Sequence, residues 1–86
     1  MITAVVLIQT ERDQVNSVGE RLAEIEGIVE VYSVSGRYDL VVVIRLETNE
    51  GLAELMTEKL TSVEGITDTE SMIAFRKISK KDIAFG

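Results

Sequence analysis

The 86-residue sequence contains no cysteine, no histidine, no proline and no tryptophan. Without cysteine there are no disulfides, no thiolate nucleophile and no sulfur-ligated metal. Without histidine the commonest general base and the commonest metal ligand are missing as well. Positive charge is also scarce: nine Lys and Arg stand against fifteen Asp and Glu, a net charge of -6. That balance opposes binding to a phosphate backbone, whose affinity comes largely from Lys and Arg. The short basic cluster Arg76, Lys77, Lys80 and Lys81 has no helix-turn-helix or aromatic interleaving around it, and reads as a solvated face rather than a nucleic-acid contact. No stretch approaches the roughly 20 apolar residues of a membrane span. The N-terminus also lacks the basic, apolar and small-residue regions of a secretory signal, so the expectation is a cytoplasmic protein without a membrane partner.

At this length the expectation is a single domain with a thin stability margin, which must come from packing, association or a ligand. The most apolar stretch runs from Leu40 to Leu46, interrupted only by Arg45, and its Val41-Val42-Val43-Ile44 centre predicts a strand covered on both faces. Ile2 to Gln9 predicts another strand, with Ile2, Ala4, Val6 and Ile8 on one face and Val5 and Leu7 on the other. Thr10 is placed as a helix N-cap with Asp13 at the capping-box position. Val15, Val18, Leu22 and Ile25 then recur at helical spacing up to Gly27.

Ile28 to Val34 predicts the next strand, and Ser35-Gly36-Arg37 turns it into the Leu40 strand as an antiparallel hairpin. Thr48 or Asn49 caps a second helix, with Leu52, Leu55 or Met56, Leu60 and Val63 buried and Gly65 at its end. Ile66 to Phe75 predicts a fourth strand. Ile25-Glu26-Gly27-Ile28 recurs as Val63-Glu64-Gly65-Ile66, and the same offset aligns Thr10 with Thr48 and Leu22 with Leu60. Two strand-helix-strand units joined by a hairpin predict an α+β, ferredoxin-like βαββαβ fold: a four-stranded antiparallel sheet with both helices on one face. Residues 1–76 form this domain, followed by a tail, 77–86, that packs on its own or a partner subunit.

Helices on one side leave the other side of the sheet apolar and uncovered, which predicts a homodimer that packs sheet on sheet or extends one sheet into the next. Ile78, Ile83 and Phe85 of the tail reach the partner in this reading, and higher assembly follows. Catalysis finds little support. Asp39, Glu47, Asp68, Glu70 and Asp82 have no base or metal-ligand neighbour at a telling spacing, and Ser33, Ser35 and Ser71 lack a base. No catalytic residue, metal site or cofactor is assigned, and Gly36 and Gly51 form no phosphate-cradling loop. The Gly36-Arg37-Tyr38-Asp39 turn has two readings. In one, its N–H groups, the Asp39 carboxylate and the Tyr38 ring suit a zwitterion such as an amino acid. In the other, these residues serve only the turn. Thr69 and Ser71 are similarly either ladder residues or polar contacts for a ligand held between subunits.

The run Val31-Tyr32-Ser33-Val34-Ser35-Gly36-Arg37-Tyr38-Asp39-Leu40-Val41-Val42, with the Val63-Glu64-Gly65-Ile66 turn and Thr67-Asp68-Thr69-Glu70-Ser71-Met72-Ile73-Ala74-Phe75, resembles the effector-binding domain of the Lrp/AsnC transcriptional regulators. The resemblance covers essentially residues 1 to 76. It implies dimers that assemble into octamers or a similar ring, with an amino-acid effector held in clefts between dimers. It implies further that Gly36, Arg37, Tyr38 and Asp39 line the pocket, with Thr69 and Ser71 contributing across it. Because the sequence opens on the first strand, it resembles the stand-alone form without a helix-turn-helix, for which no direct DNA binding but pairing with full-length Lrp/AsnC regulators is expected. The alternatives are a small dimeric enzyme of monooxygenase or isomerase type on the same scaffold, and a purely structural assembly module.

Overall fold

Strand β1, Ile2–Thr10, is the centre of the molecule, because its alternation satisfies two partners at once. It pairs antiparallel with β3, Leu40–Leu46, on one side and with β4, Ile66–Ile73, on the other; β2, Ile28–Ser33, completes a sheet of order β2-β3-β1-β4. The computed structural model describes residues 1–80. Helix α1, Val15–Ala23, and helix α2, Asn49–Glu54, connect the strands, giving the expected βαββαβ order. The expected tail contacts of Ile83 and Phe85 lie outside the described residues, as does Asp82.

The register decides which side chains meet the helices. Ala4, Val6 and Ile8 stand opposite Ile44, Val42 and Leu40, and all six are buried. Val18 and Leu22 of α1 and Leu52, Leu55 and Leu60 of the second helical segment close this core. Full burial of each such aliphatic side chain stabilises by about 1.5–3 kcal/mol. Period two in the strands and near-four spacing in the helices are therefore legible as one packed layer.

Local chemistry explains the element ends. Thr48 caps α2 as expected, its Oγ1 accepting from the Gly51 N–H at 3.0 Å. Thr10 does not cap α1. Its N–H goes to the Asp39 carboxylate, β1 runs on through it, and a turn with Asp13 at φ 68° delays the helix to Val15, where Gln14 provides no side-chain cap. Past α2 the chain makes one π-helical turn, Leu55–Lys59, with the Leu60 N–H on the Leu55 carbonyl. That five-residue closure turns both Leu55 and Leu60 into the core, while Met56 is only partly buried. β4 ends at Ile73 rather than Phe75, although the Ala74 N–H still reaches the Thr3 carbonyl at 2.9 Å.

The repeated Glu-Gly-Ile turn has one conformation in both places. Gly27 has φ +103° and Gly65 has φ +101°, a region that L side chains rarely adopt. A Cβ on Gly27 would sit 2.7 Å from Leu46 and 3.1 Å from Leu55, and one on Gly65 would sit 2.8 Å from Val18. Each turn thus packs against the helical segment of the other half, and both glycines are required twice over.

The other face of the sheet is open. Val5, Leu7, Val41 and Val43 point away from the helices and remain partly buried, and Tyr32, Val34 and Met72 are exposed. Phe75 and Ile78 beyond β4 are also exposed.

Candidate functional site

The turn after β2 is held against the end of β1 by bonds that its sequence makes available. Val34 N–H donates to the Asp39 carbonyl at 3.0 Å, closing the loop, and Asp39 N–H donates to the Ile8 carbonyl at 2.8 Å, prolonging the ladder. Gln9 Nε2 donates to the Arg37 carbonyl at 2.7 Å. Gly36, at φ +113°, turns the chain with open space where a Cβ would be. Here glycine serves backbone conformation rather than close packing.

Asp39 and Tyr38 tie the turn to the rest of the sheet. Asp39 Oδ2 accepts from the Thr10 N–H at 2.9 Å and from the Thr10 hydroxyl at 3.5 Å. Both bonds fall on Oδ2, leaving Oδ1 without a donor among the described residues. The Tyr38 hydroxyl donates to Glu70 Oε1 at 3.1 Å, bridging the turn to β4. Tyr38 and Asp39 are half-buried, whereas Gly36 and Arg37 are exposed.

The six expected site residues do not form one closed pocket within a single chain. Thr69 and Ser71 stand opposite Ile8 and Val6, so their side chains belong to the helix side of the edge strand; Glu70 between them stands opposite Leu7 on the open side. The surface grooves of the described residues include three of about 360 to 390 Å3. Thr69 lines one, with Met56, Leu60, Thr61 and Ile66, while Gly36, Arg37, Tyr38, Asp39 and Ser71 line none of the three. The structure therefore joins the turn to β4 through Tyr38 and Glu70, and separates it from Thr69 and Ser71 by the thickness of the strand.

Thr10, Gln9 and Glu70 are the residues that sequence reasoning missed. The signal was present in the strand pattern. Once β1 lies beside β3, the end of β1 must meet the turn, and alternation along Thr69-Glu70-Ser71 sends Glu70 to the opposite face. Among the described residues no group of three or more His, Cys, Asp or Glu could hold a metal, and no helix is long and apolar enough to cross a membrane.

Known proteins share this fold. The family model of the Lrp/AsnC ligand binding domain matches residues 3–83. The HTH-type transcriptional regulator PF0250 of Pyrococcus furiosus, itself uncharacterised, is 32% identical over 92% of this chain and 55% of its own length. The chain spans about half the length of the curated relatives it matches. Among solved structures, TTHA0845 from Thermus thermophilus superposes with a TM-score of 0.86 at 44% identity, covering 93% of this chain and all of the other. The transcriptional regulator NMB0573 of Neisseria meningitidis, solved as a complex with L-Met, shares the fold at a TM-score of 0.80 and 11% identity, over 91% of this chain and 52% of its own. By the extent of the family match, the chain belongs to the Lrp/AsnC ligand-binding domain family.

Proposed function

We propose that the chain is a non-catalytic sensor that binds an amino acid or similar zwitterion at the Gly36–Asp39 turn and transmits its presence through assembly with further copies. The observation that carries this is the state of Asp39. Thr10 fixes one of its carboxylate oxygens, while the other is left without a donor beside the backbone of an exposed glycine turn. A held carboxylate is pre-organised to accept from an ammonium group, and the turn's N–H groups suit a carboxylate. The ring of Tyr38, held by Glu70, supplies an apolar wall with a polar tip.

Thr69 and Ser71 enter such a site from another copy, since within one chain they lie on the far side of β4. The open sheet face supports a homodimer, and dimers assemble into a larger ring. Family membership supports a role in modulating transcription in the cytoplasm, and the net charge of -6 favours contact with other regulator chains over direct contact with DNA. A ligand acts in this scheme only through its different affinities for the assembled states.

Calorimetric titration with each of the twenty amino acids tests the reading. Heat for one or a few of them, abolished in Asp39→Ala while the assembly persists, is the expected result. Silence toward all twenty from an intact assembly would overturn the sensor and leave a purely structural module.

A further inference from the structure

The end of the sheet where β1 begins carries a basic groove of about 390 Å3, built from separate parts of the chain. In the sequence Arg76 and Lys77 read as a solvated cluster. In the fold the Ala74 N–H donates to the Thr3 carbonyl at 2.9 Å, which keeps the chain after β4 beside β1 and brings Phe75, Arg76 and Lys77 to the groove. Arg45 arrives from β3 on the other side of β1, directly paired with Thr3. Because Ala4 and Ile44 are buried against the helices, Thr3 and Arg45 face the opposite way, into the groove. Two inter-strand spacings, about 10 Å, separate the backbones that carry the two arginines.

The cations of this groove are uncompensated within the chain. Arg45, Arg76 and Lys77 meet no carboxylate among the described residues, and the Thr3 hydroxyl makes no hydrogen bond there. Glu47 follows Arg45 by two residues, and Glu26 precedes Gly27, whose carbonyl accepts from the Arg45 N–H at 2.8 Å; neither lines the groove. Glu30 on β2 accepts from the Tyr32 hydroxyl. Lys80, shortly after Lys77, adds to the positive side. The remaining charges near the sheet, Glu11, Asp13, Asp39, Asp68 and Glu70 with Arg12 and Arg37, belong to the opposite end of the strands. At the rise of a strand they are about 15 Å or more away, beyond the screening length of about 10 Å at moderate salt.

Three such cations suit a compact anion of several charges. Guanidinium groups on either side can each bond two phosphate oxygens, and the hydroxyl between them has a further bond to donate. Phe75 adds what a simple anion does not need. Its ring lines the same groove and is fully exposed, a platform on which a flat heterocycle stacks. The net charge of -6 opposes a longer phosphate chain that runs on past the groove. We propose that this groove binds a nucleotide, with its phosphates between Arg45 and Arg76 over Thr3, Lys77 alongside, and its base stacked on Phe75. The groove lies beyond Val5, Leu7, Val41 and Val43, the apolar middle of the open face, and at the opposite end of the strands from the Gly36–Asp39 turn. Its occupation is therefore independent of amino-acid binding at that turn.

Equilibrium dialysis of the full chain, in whatever assembly it adopts, against ADP, inorganic pyrophosphate and adenosine tests the site. ADP should bind saturably, pyrophosphate about tenfold more weakly for want of a stacked ring, and adenosine not measurably. Arg45→Gln/Arg76→Gln should weaken ADP about 100-fold. Arg12→Gln, which removes an exposed cation at the other end of β1, should leave ADP binding unchanged. Phe75→Ala should weaken ADP about tenfold without altering pyrophosphate, and Phe75→Tyr, which keeps a ring, should restore ADP. Circular dichroism verifies that the variants fold, and the Phe75 pair carries the test should the double arginine variant not do so. Absence of saturable ADP binding at millimolar concentration, or an equal loss in Arg12→Gln, would overturn the site. Pyrophosphate bound as tightly as ADP, with Phe75→Ala indifferent to both, would overturn the nucleotide and leave an adventitious anion only.

Discussion

Thr10 and Asp39, 29 positions apart, are joined by a 2.9 Å bond from the Thr10 N–H to Asp39 Oδ2. The bond stops β1 from giving way to a capped helix and holds the turn in place. Asp39→Ala should lower stability by about 1 kcal/mol, the worth of a half-buried hydrogen bond whose donor is left behind. Asp39→Asn retains an acceptor oxygen and should recover most of that loss. Urea unfolding of the three proteins measures both, and an Asp39→Ala chain as stable as the natural one would contradict the assigned role.

Gly65 is more tightly constrained than Gly36. Gly65→Ala combines a left-handed φ of +101° with a Cβ 2.8 Å from Val18, an atom on the fully buried side of α1. The expected cost is about 2–4 kcal/mol, from backbone strain and overpacking together. Gly36→Ala has only the strain, since nothing lies within 4 Å of its Cβ. Thermal unfolding should therefore rank Gly65→Ala well below Gly36→Ala.

The two faces of β3 should respond differently to a charge. Val42 and Ile44 both point into the core at 0% exposure, so Val42→Asp buries an unpaired carboxylate and should prevent folding. Val43 faces the open side, and Val43→Asp should fold as judged by circular dichroism but sediment as a monomer. A Val43→Asp dimer of natural affinity would rule out the sheet-face interface.

Tyr32 reports on the same face through its ionisation. Its hydroxyl donates to the Glu30 carboxylate, and this bond, with the nearby negative charge and slight desolvation, raises its pKa above the usual 10. A raised folded-state value means that the contribution is present below about pH 10 and is lost as pH climbs through the folded-state pKa. In a Tyr38→Phe background, phenolate absorbance should emerge above the usual tyrosine range, and Glu30→Gln should bring it back down.

Much of this was readable from the residues. Alternation in β1, the unbroken apolar run of β3, the helical spacing of Val15, Val18 and Leu22, and the repeated Glu-Gly-Ile turns lead to the βαββαβ sheet that is observed. The misplaced cap at Thr10 had a specific cause: Thr10 and Asp13 fit a local capping signal, but a carboxylate distant in sequence competed for the same N–H and won. The π-helical turn at Leu55–Lys59 was hidden for a related reason, since an extra residue per turn shifts the apolar spacing only slightly. Of the candidate site, the turn was legible as a unit. Its bond to Glu70 was not, because it depends on which of three consecutive polar residues in β4 faces which side, and that follows only from the pairing with β1.

The proposed sensor requires a second copy on the open face. Sedimentation equilibrium of the natural chain across the micromolar range tests that most directly. The account predicts a mass of at least twice the 9.5 kDa of one chain. A stable, folded species of 9.5 kDa at every concentration would contradict it.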